Sequence, residues 1–364
     1  MQVKTPAGLS LQTLSAMLHF KSIFAGLLGL LLTEAVSLTA QPSYQSNNPL
    51  FASDIVLELH LSTDLRKLKV DRQKEKYQAA EFRLYFPDST QFQDNIEIKT
   101  RGLLRKEMCS TPPLTFNFTK ASQAAVKNWG SVKMVLGCHN GHYEQQLVLR
   151  EYLTYRFYHL ITPLSFKVRL VRLHLEDSKD NKKPLDQWAF FIEDIHEVAQ
   201  RNHCQYMKLA NPPEALDPYQ LAMMNIFQFM IGNTDYTVSR NKNTKLIQTL
   251  PLDSYAPYAI PYDFDFSGMV NARYAQPHPD YQDILKTVKD RLYLGLPYEE
   301  DVILSLFTPF QSHYQEMNAL IDGQASLDNV FKEEMKEYLQ EFFDIIKEPR
   351  RIREIFVYPT GQNW

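Results

Sequence analysis

Short runs of alternating apolar and polar residues fill the first half of the chain, and this pattern limits the possible folds more than any other feature. Apolar residues at positions 55, 57, 59 and 61 have mostly polar neighbours, which is typical of a half-buried β-strand. Further short runs, each bounded by Pro, Asp, Ser or Gly, predict strands at residues 81–86, 96–100, 114–118 and 132–136. The N-terminal half is therefore expected to be rich in β-structure.

A long helix is predicted to follow these strands. Leu149, Leu153 and Phe157 fall on one helical face, and Pro163 limits the helix, which gives residues 144–161. Alternation then resumes over residues 166–176 but changes phase between 170 and 171. We interpret this change as a β-bulge within one strand, which pairs with a second strand at residues 188–192.

Helical patterns dominate the second half. Asp217 is suited to cap a helix whose first residue is Pro218 and which stops at Gly232. Amphipathic patterns predict three more helices, at residues 281–294, 300–321 and 327–355. Because strands come first and helices follow, the sequence predicts a bilobal α+β fold: a β-rich N-lobe over residues 41–200 with one long helix, and a mainly helical C-lobe over residues 201–364.

Composition and charge exclude some classes of function. The chain has 364 residues, 44% of them hydrophobic, and a net charge of −3. It can bury a large core, but it offers no positive field that would attract nucleic acid, so no nucleic-acid partner is expected.

The N-terminus is typical of an export signal. Lys4 and Lys21 precede an apolar stretch at residues 22–32, and small residues follow up to Ala40. Eleven residues are too few to span a bilayer, so we expect residues 1–40 to be cleaved, with Met17 as an alternative start, and no integral membrane segment to remain. The mature protein is expected in the periplasm or outside the cell.

Three cysteines fit an oxidising compartment if two of them pair. Cys109 and Cys138 lie at the margins of two predicted strands, which predicts a disulfide between them, whereas Cys204 lies in a predicted polar loop. A metal cluster of Cys138, His139 and His142, joined by the His-Cys pair at 203–204, is the alternative interpretation.

Four polar residues of the second half have the chemistry that phosphoryl transfer requires. Asp235 lies just beyond the end of a predicted helix, Asn243 precedes a predicted strand, and Asp263 and Asp265 follow another. A carboxylate can orient or deprotonate the attacking hydroxyl, while an Asn and an Asp can hold Mg²⁺ on the phosphates. The alternative is that these acids only cap backbone N–H groups of loops.

Two residues of the first half could complete such a site. Lys133 lies on a predicted strand and Glu151 on the helix that follows, an order that predicts an ion pair facing bound phosphates. Arg101, at the end of another strand, could bind phosphate through its guanidinium. The alternative is that these are solvated surface charges, and no glycine-rich phosphate loop occurs in the sequence.

The motifs together resemble the spore-coat protein H (CotH) kinase-like family, in particular its exported Gram-negative branch. They are Arg-Gly at 101–102, Pro-Pro-Leu at 112–114, Gly-Asn-Thr-Asp at 232–235, Asn243, and Pro-Tyr-Asp-Phe-Asp-Phe-Ser-Gly at 261–268. The likeness covers roughly residues 94–275. It implies an atypical kinase with a protein-kinase-like fold.

The resemblance implies a role for each matched residue. Asp235 corresponds to the catalytic acid, Asn243 to the metal-holding amide, and Asp263 and Asp265 to the two-acid metal motif. Asn241 is an alternative ligand, because eight residues separate Asp235 from Asn243. A lysine pair of the family is replaced by Thr-Pro-Pro at 111–113, which shifts phosphate binding to Lys133 or Arg101.

The resulting hypothesis is Mg²⁺- or Mn²⁺-dependent transfer of a phosphoryl group from ATP to a hydroxyl, with a protein as acceptor. Two alternatives stay open: a non-catalytic protein that binds a partner or supports an envelope or surface assembly, and a metal-dependent hydrolase that uses Asp263 and Asp265 as ligands.

Overall fold

A closed barrel of seven strands is the central element of the described part of the chain, residues 48–74, 76–180, 183–250 and 255–359 of a computed structural model. The strands are β1 Leu57–Thr63, β2 Gln78–Tyr85, β3 Gln91–Thr100, β4 Leu114–Asn117, β5 Ser131–Leu136, β6 Val168–Asp177 and β7 Leu185–Ile192. Their order is β1-β2-β3-β4-β5-β7-β6, and the barrel closes where β1 runs parallel to β6. The export signal predicted for residues 1–40 lies outside the described residues.

The alternating pattern explains the barrel interior. Every second side chain of a strand points inward, so Leu59, Phe82, Phe116 and Phe191 fill one buried cluster. Trp129 closes this cluster, with its ring 5.2 Å from that of Phe118. The five strands predicted in the first half are confirmed, with ends that differ by a few residues.

The bulge predicted in β6 is wrong. The ladder between β6 and β7 runs without interruption from Val168 to Leu175, and β1 pairs with β6 in a regular register. The apparent phase change has another cause: the outer face of β6 is covered at Val168 and Leu170 but open to solvent at its other end. A regular strand therefore looks out of phase in the sequence.

Helices cover one side of the barrel and are the main regular elements of the second half. They are α1 Leu65–Val70, α2 Leu104–Met108, α3 Ala124–Lys127, α4 His142–Ile161, α5 Ile195–Arg201, α6 Pro218–Ile231, α7 Glu300–Leu306, α8 Thr308–Ser312, α9 Tyr314–Gly323, α10 Asn329–Ile345 and α11 Pro349–Ile352. A small antiparallel sheet lies among them, with the order β10-β9-β8, from strands β8 Cys204–Met207, β9 Thr244–Thr249 and β10 Tyr258–Pro261. No helix in the described ranges combines the length and the apolar character needed to cross a bilayer.

The predicted bilobal, protein-kinase-like fold with a helical C-lobe is wrong. The N-terminal strands close on themselves instead of forming an open lobe, and the second half has a sheet of its own. One continuous core joins the two halves, because Val168 and Phe190 on the outer face of the barrel pack in the same cluster as Met230 and Phe342. Alternation in sequence indicates strands but does not reveal whether a sheet closes.

Two of the three predicted C-terminal helices are broken and one is absent. Residues 282–299 form turns, in which Asp290 accepts hydrogen bonds from the backbone N–H groups of Lys286 and Thr287 at 2.8 Å each. Such side-chain bonds compete with helical ones. Within the predicted 300–321 segment a new helix begins at Thr308, with Pro309 in its first turn.

The helix predicted from Asp217 to Gly232 is confirmed. Asp217 accepts from the N–H of Gln220, Pro218 is the first helical residue, and Gly232 ends α6 with a φ of 64°. A Cβ on Gly232 would lie 2.0 Å from the hydroxyl of Tyr338, so only glycine fits here. This tight end fixes the direction in which the chain leaves α6 toward Asp235.

Candidate functional site

Backbone hydrogen bonds bring the three acid-bearing segments together. The N–H of Tyr262 donates to the carbonyl of Asn243 at 3.0 Å, which aligns the residues before β9 with those after β10. The N–H of Gly268 donates to the carbonyl of Gly232 at 3.1 Å and joins the segment after Asp265 to the end of α6. Three stretches that are distant in sequence thus meet at one place.

Asp235 and Asn243 are in direct contact. The Asn243 amide donates to the Asp235 carboxylate at 3.0 Å and to its carbonyl at 2.6 Å, while Lys242 binds the other carboxylate oxygen. Because the Asn243 amide nitrogen is used in this way, its side-chain oxygen is left for another partner. Asn241, the alternative ligand, instead donates to the carbonyl of Lys208.

Asp263 is held in an unusual backbone conformation. Its φ of 67° lies in the left-handed region, which few residues other than glycine adopt. Its N–H donates to the hydroxyl of Tyr155, on α4, at 2.7 Å. Strained residues of this kind cluster at binding and catalytic sites, and Asn243, with a φ of 52°, shares the feature.

Asp265 lies in the buried part of the site. Tyr274 donates to its carboxylate at 3.0 Å, and the guanidinium of Arg105 lies 3.9 Å away. Burial, followed by the negative charge of Asp263, raises the pKa of Asp265 to about 7, although Arg105 and Tyr274 act in the opposite direction. Two carboxylates therefore share a space in which their charges are only partly compensated.

Glu151 joins this group from α4. It is buried, and one of its carboxylate oxygens has no hydrogen-bond partner. Burial, then the charge of Asp265, raises its pKa well above the ordinary value. The ion pair predicted between Glu151 and Lys133 is wrong, since the cations whose charges act on Glu151 are Arg105 and Arg101.

Lys133 belongs to a separate group of cations. Its ammonium lies 5.5 Å from the centre of the Tyr262 ring, and that of Lys245 lies 5.6 Å from the same ring. Burial, then the charges of Arg101 and Lys245, lowers the pKa of Lys133 to about 8. Within the described ranges no carboxylate comes within ion-pair distance of these three cations, which we call the cationic triad: Arg101, Lys133 and Lys245.

A disulfide fixes the loop that carries the arginines. Cys109 and Cys138 are bonded, with their Cα atoms 4.5 Å apart, which confirms the predicted pair. The bond joins the end of α2, which holds Arg105, to the loop between β5 and α4. The alternative metal cluster is excluded, because the Cys138 thiol is used in the disulfide and His142 faces Asp328.

The structure joins Asp235 to Asn243 directly, places Asp265 within the electrostatic reach of Asp263 and Asp235, and adds residues that sequence reasoning missed. The charges of Arg101 and Asp263 both act on Lys133, whereas Glu151 and Asp265 line the same small pocket. The missed residues are Arg105, Lys242, Lys245 and Tyr274. One feature of the sequence could have indicated Arg105. It follows Arg101 by four residues, so a helical turn after β3 could bring both side chains to one side.

No family model matches the chain, and no curated protein matches it either. The resemblance to the CotH kinase-like family therefore stays a prediction from the motifs.

The shifted pKa values predict a minimum in stability near pH 7–8 for the metal-free protein. The unfolded chain loses the proton of Asp265 at a pH near 3.8, whereas the folded protein keeps it up to a pH of about 7. Stability therefore falls as the pH rises through this range. Between about 8 and 10.5 folded Lys133 has lost a proton that the unfolded chain keeps, so stability rises again.

Thermal melting in chelator across this pH range tests the minimum. Asp265→Asn should reduce the fall in stability, to which Glu151 also contributes because its pKa is raised as well, and Lys133→Met should remove the rise. A profile that keeps its shape in both variants would contradict the assignment.

Proposed function

We propose that the site binds a divalent cation, Mg²⁺ or Mn²⁺, together with ATP, and transfers a phosphoryl group to a hydroxyl of a protein. The observation that supports this most is that a buried acidic group and the unpaired cationic triad are close enough for the charge of Asp263 to act on both Asp265 and Lys133. A nucleotide phosphate needs cationic side chains, and the metal ion bound to it needs carboxylates close by. The proposal depends on these side chains and does not require a protein-kinase fold.

The donor atoms fit a hard cation. Asn243 offers its side-chain oxygen, and Asp263 and Asp265 offer carboxylates, an all-oxygen set of the kind that Mg²⁺ and Mn²⁺ prefer. The raised pKa of Asp265 and the unpartnered oxygen of Glu151 are what uncompensated negative charge in a metal-binding pocket would produce. When bound, the cation would neutralise charge on the phosphates.

The cationic triad is suited to the phosphates themselves. The Arg101 guanidinium can make two parallel hydrogen bonds to a phosphate, and the two lysines add point charges. Burial lowers the pKa of Lys133 most, and an anion between the three cations would relieve the repulsion by Arg101 and Lys245 that lowers it further.

Asp235 is placed to receive the proton of the attacking hydroxyl. Lys242 and Asn243 fix the orientation of its carboxylate, which is partly exposed and can be reached by an acceptor. In the proposed step the acceptor oxygen bonds to the terminal phosphorus, the bond to the bridging oxygen breaks, and the proton moves to Asp235.

The proposed compartment is outside the cytoplasm. The Cys109–Cys138 disulfide supports an oxidising environment, in agreement with the export signal predicted from the sequence.

Thermal melting with Mn²⁺ or Mg²⁺, with and without ATP, tests the proposal. A ligand present at a hundred times its dissociation constant adds about 2.7 kcal/mol of stability. We expect a modest shift with metal and a larger one with metal and ATP. No shift with either ligand would contradict the proposal and favour a non-catalytic protein, and phosphate release without transfer to any acceptor would favour a hydrolase.

Lys133→Met is expected to weaken nucleotide binding about 10- to 100-fold, because one charge-assisted contact to phosphate contributes about 1.5–3 kcal/mol. The shift with metal alone should remain. Calorimetric titration of the protein with ATP and Mg²⁺ measures the change.

Lys99→Met is the matched control. Lys99 also lies over a tyrosine ring, that of Tyr77. It pairs across β3 and β4 with Thr115, which pairs across β4 and β5 with Lys133, so the two lysines stand at the same level of the barrel. Equal losses in the two variants would show only diffuse attraction by positive charge and would argue against a phosphate site at Lys133.

A further inference from the structure

A second group of ligand atoms lies on the outer face of the barrel, at the parallel pairing of β1 and β6. His60 and His174 stand directly opposite each other in this register, and Glu58 is two residues before His60. Their ligand atoms all lie within 4.8 Å of one another. We call these three residues the seam cluster; it takes no part in the site described above.

Both imidazole rings have the same orientation. Nε2 of His60 and Nε2 of His174 lie 3.6 Å and 3.2 Å from the same carboxylate oxygen of Glu58. The opposite nitrogen of each ring faces a second carboxylate: Glu176 at 3.6 Å for His60, and Asp186 at 2.6 Å for His174. Histidines that bind metals commonly show this pattern, with one nitrogen toward the ion and the other toward a carboxylate.

The contact with Asp186 determines which ring nitrogen of His174 carries a hydrogen. Nδ1 of His174 lies 2.6 Å from a carboxylate oxygen of Asp186. Because a carboxylate only accepts hydrogen bonds, Nδ1 is the nitrogen that carries the hydrogen. In the neutral ring Nε2 is then an acceptor, and it faces a carboxylate oxygen at 3.2 Å. Nε2 is buried and has no hydrogen-bond partner among the described residues, so a cation between the two acceptors would satisfy both.

We propose that the seam cluster binds a divalent transition-metal ion, Zn²⁺ in the first place, through Nε2 of His60, Nε2 of His174 and the carboxylate of Glu58. Tetrahedral zinc with bonds of about 2.0–2.2 Å places its ligand atoms about 3.3 Å apart, close to the distances to Glu58. The rings stack with centroids 4.4 Å apart, so binding requires side-chain rotation that directs both Nε2 lone pairs at the ion.

The ligand atoms of the seam cluster differ from those of the oxygen-donor site proposed at Asn243, Asp263 and Asp265. Two imidazoles and one carboxylate suit Zn²⁺ and its neighbours in the first transition row, whereas Mg²⁺ prefers oxygen alone. The side chains are partly exposed, at 30% for His60, 19% for His174 and 56% for Glu58, so the ion can enter from solvent and keep a water as fourth ligand.

The position of the ion gives it a structural role. It would join β1 to β6, the pairing that closes the barrel between segments more than a hundred residues apart. Binding only to the folded state stabilises that state, so Zn²⁺ should raise the melting temperature.

Equilibrium dialysis of the full chain against Zn²⁺, with excess Mg²⁺ to occupy the oxygen-donor site, tests the proposal. We expect one Zn²⁺ per chain, and a loss of affinity of at least about 100-fold in His60→Gln and in His174→Gln. Asp186→Asn, which keeps all three ligands but changes the group that orients His174, should weaken binding about 10- to 100-fold.

Two controls keep the test specific. His313→Gln removes a histidine of similar exposure that pairs with Glu316, and it should leave zinc binding unchanged. Asp263→Asn should also bind zinc normally, so the two sites succeed or fail independently. Melting of each variant in chelator establishes that it folds.

No stoichiometric binding of Zn²⁺, or equal binding in His174→Gln, would overturn the proposal. The seam cluster would then be a set of side-chain contacts between β1 and β6 without an ion.

Discussion

Asp263→Asn is expected to reduce phosphoryl transfer by about a thousandfold or more and to abolish the stabilisation by metal and ATP together, while the protein stays folded. The charge of Asp263 acts on both Asp265, in the acidic group, and Lys133, in the cationic triad. Loss of one charged group in a preorganised site has effects of this order. Asparagine tolerates a φ of 67° as well as aspartate does, so the backbone need not change.

Two measurements check this expectation: melting shifts with Mn²⁺ and ATP, and transfer of labelled phosphate from ATP to the protein itself or to casein. Asp88→Asn is the matched control, since Asp88 caps the turn between β2 and β3 and lies outside the site. Wild-type shifts and wild-type transfer in Asp263→Asn would exclude Asp263 as a metal ligand and remove the main support for the proposed function.

The acidic half of the candidate site could be predicted because its signals are local. A helix that ends at Gly232 and a strand that ends at Pro261 place their acids immediately afterwards, whatever surrounds them. The basic half depends on the fold. Lys245 reaches Lys133 only because both flank the Tyr262 ring, and nothing in the spacing of these residues indicates that contact.

The fold shows the same division between local and distant information. Individual strands follow from alternation, but closure depends on β1 reaching β6 across more than a hundred residues. Glu151 illustrates the consequence for the site: its helix was predicted, yet its side chain lies beside Asp265 and Arg105 instead of Lys133, because α4 packs on the outer face of β6 and β7.

Arg201→Met is expected to lower the free energy of unfolding by about 3–5 kcal/mol, because it leaves the charge of Glu193 buried without its partner. The side chains of Arg201 and Glu193 are 4% and 0% exposed, and the guanidinium donates to both carboxylate oxygens, at 3.1 Å each. Glu193 also accepts a hydrogen bond from the N–H of Lys167 at 2.9 Å. It directly follows Ile192 of β7, which pairs with Lys133 of β5. The pair therefore fixes the end of a strand that supports the cationic triad.

Urea denaturation of the two proteins at neutral pH measures the change, which should appear in thermal melting as a decrease of about 4–7 °C for a chain of this length. Arg353→Met is the matched control, because Arg353 pairs with Glu300 at 3.1 Å but both side chains are well exposed, at 47% and 38%. An exposed pair contributes about 0–1 kcal/mol. If Arg201→Met cost no more than this control, Glu193 would be neutralised or solvated after the change, and the buried pair would not be what holds this end of β7 against β6.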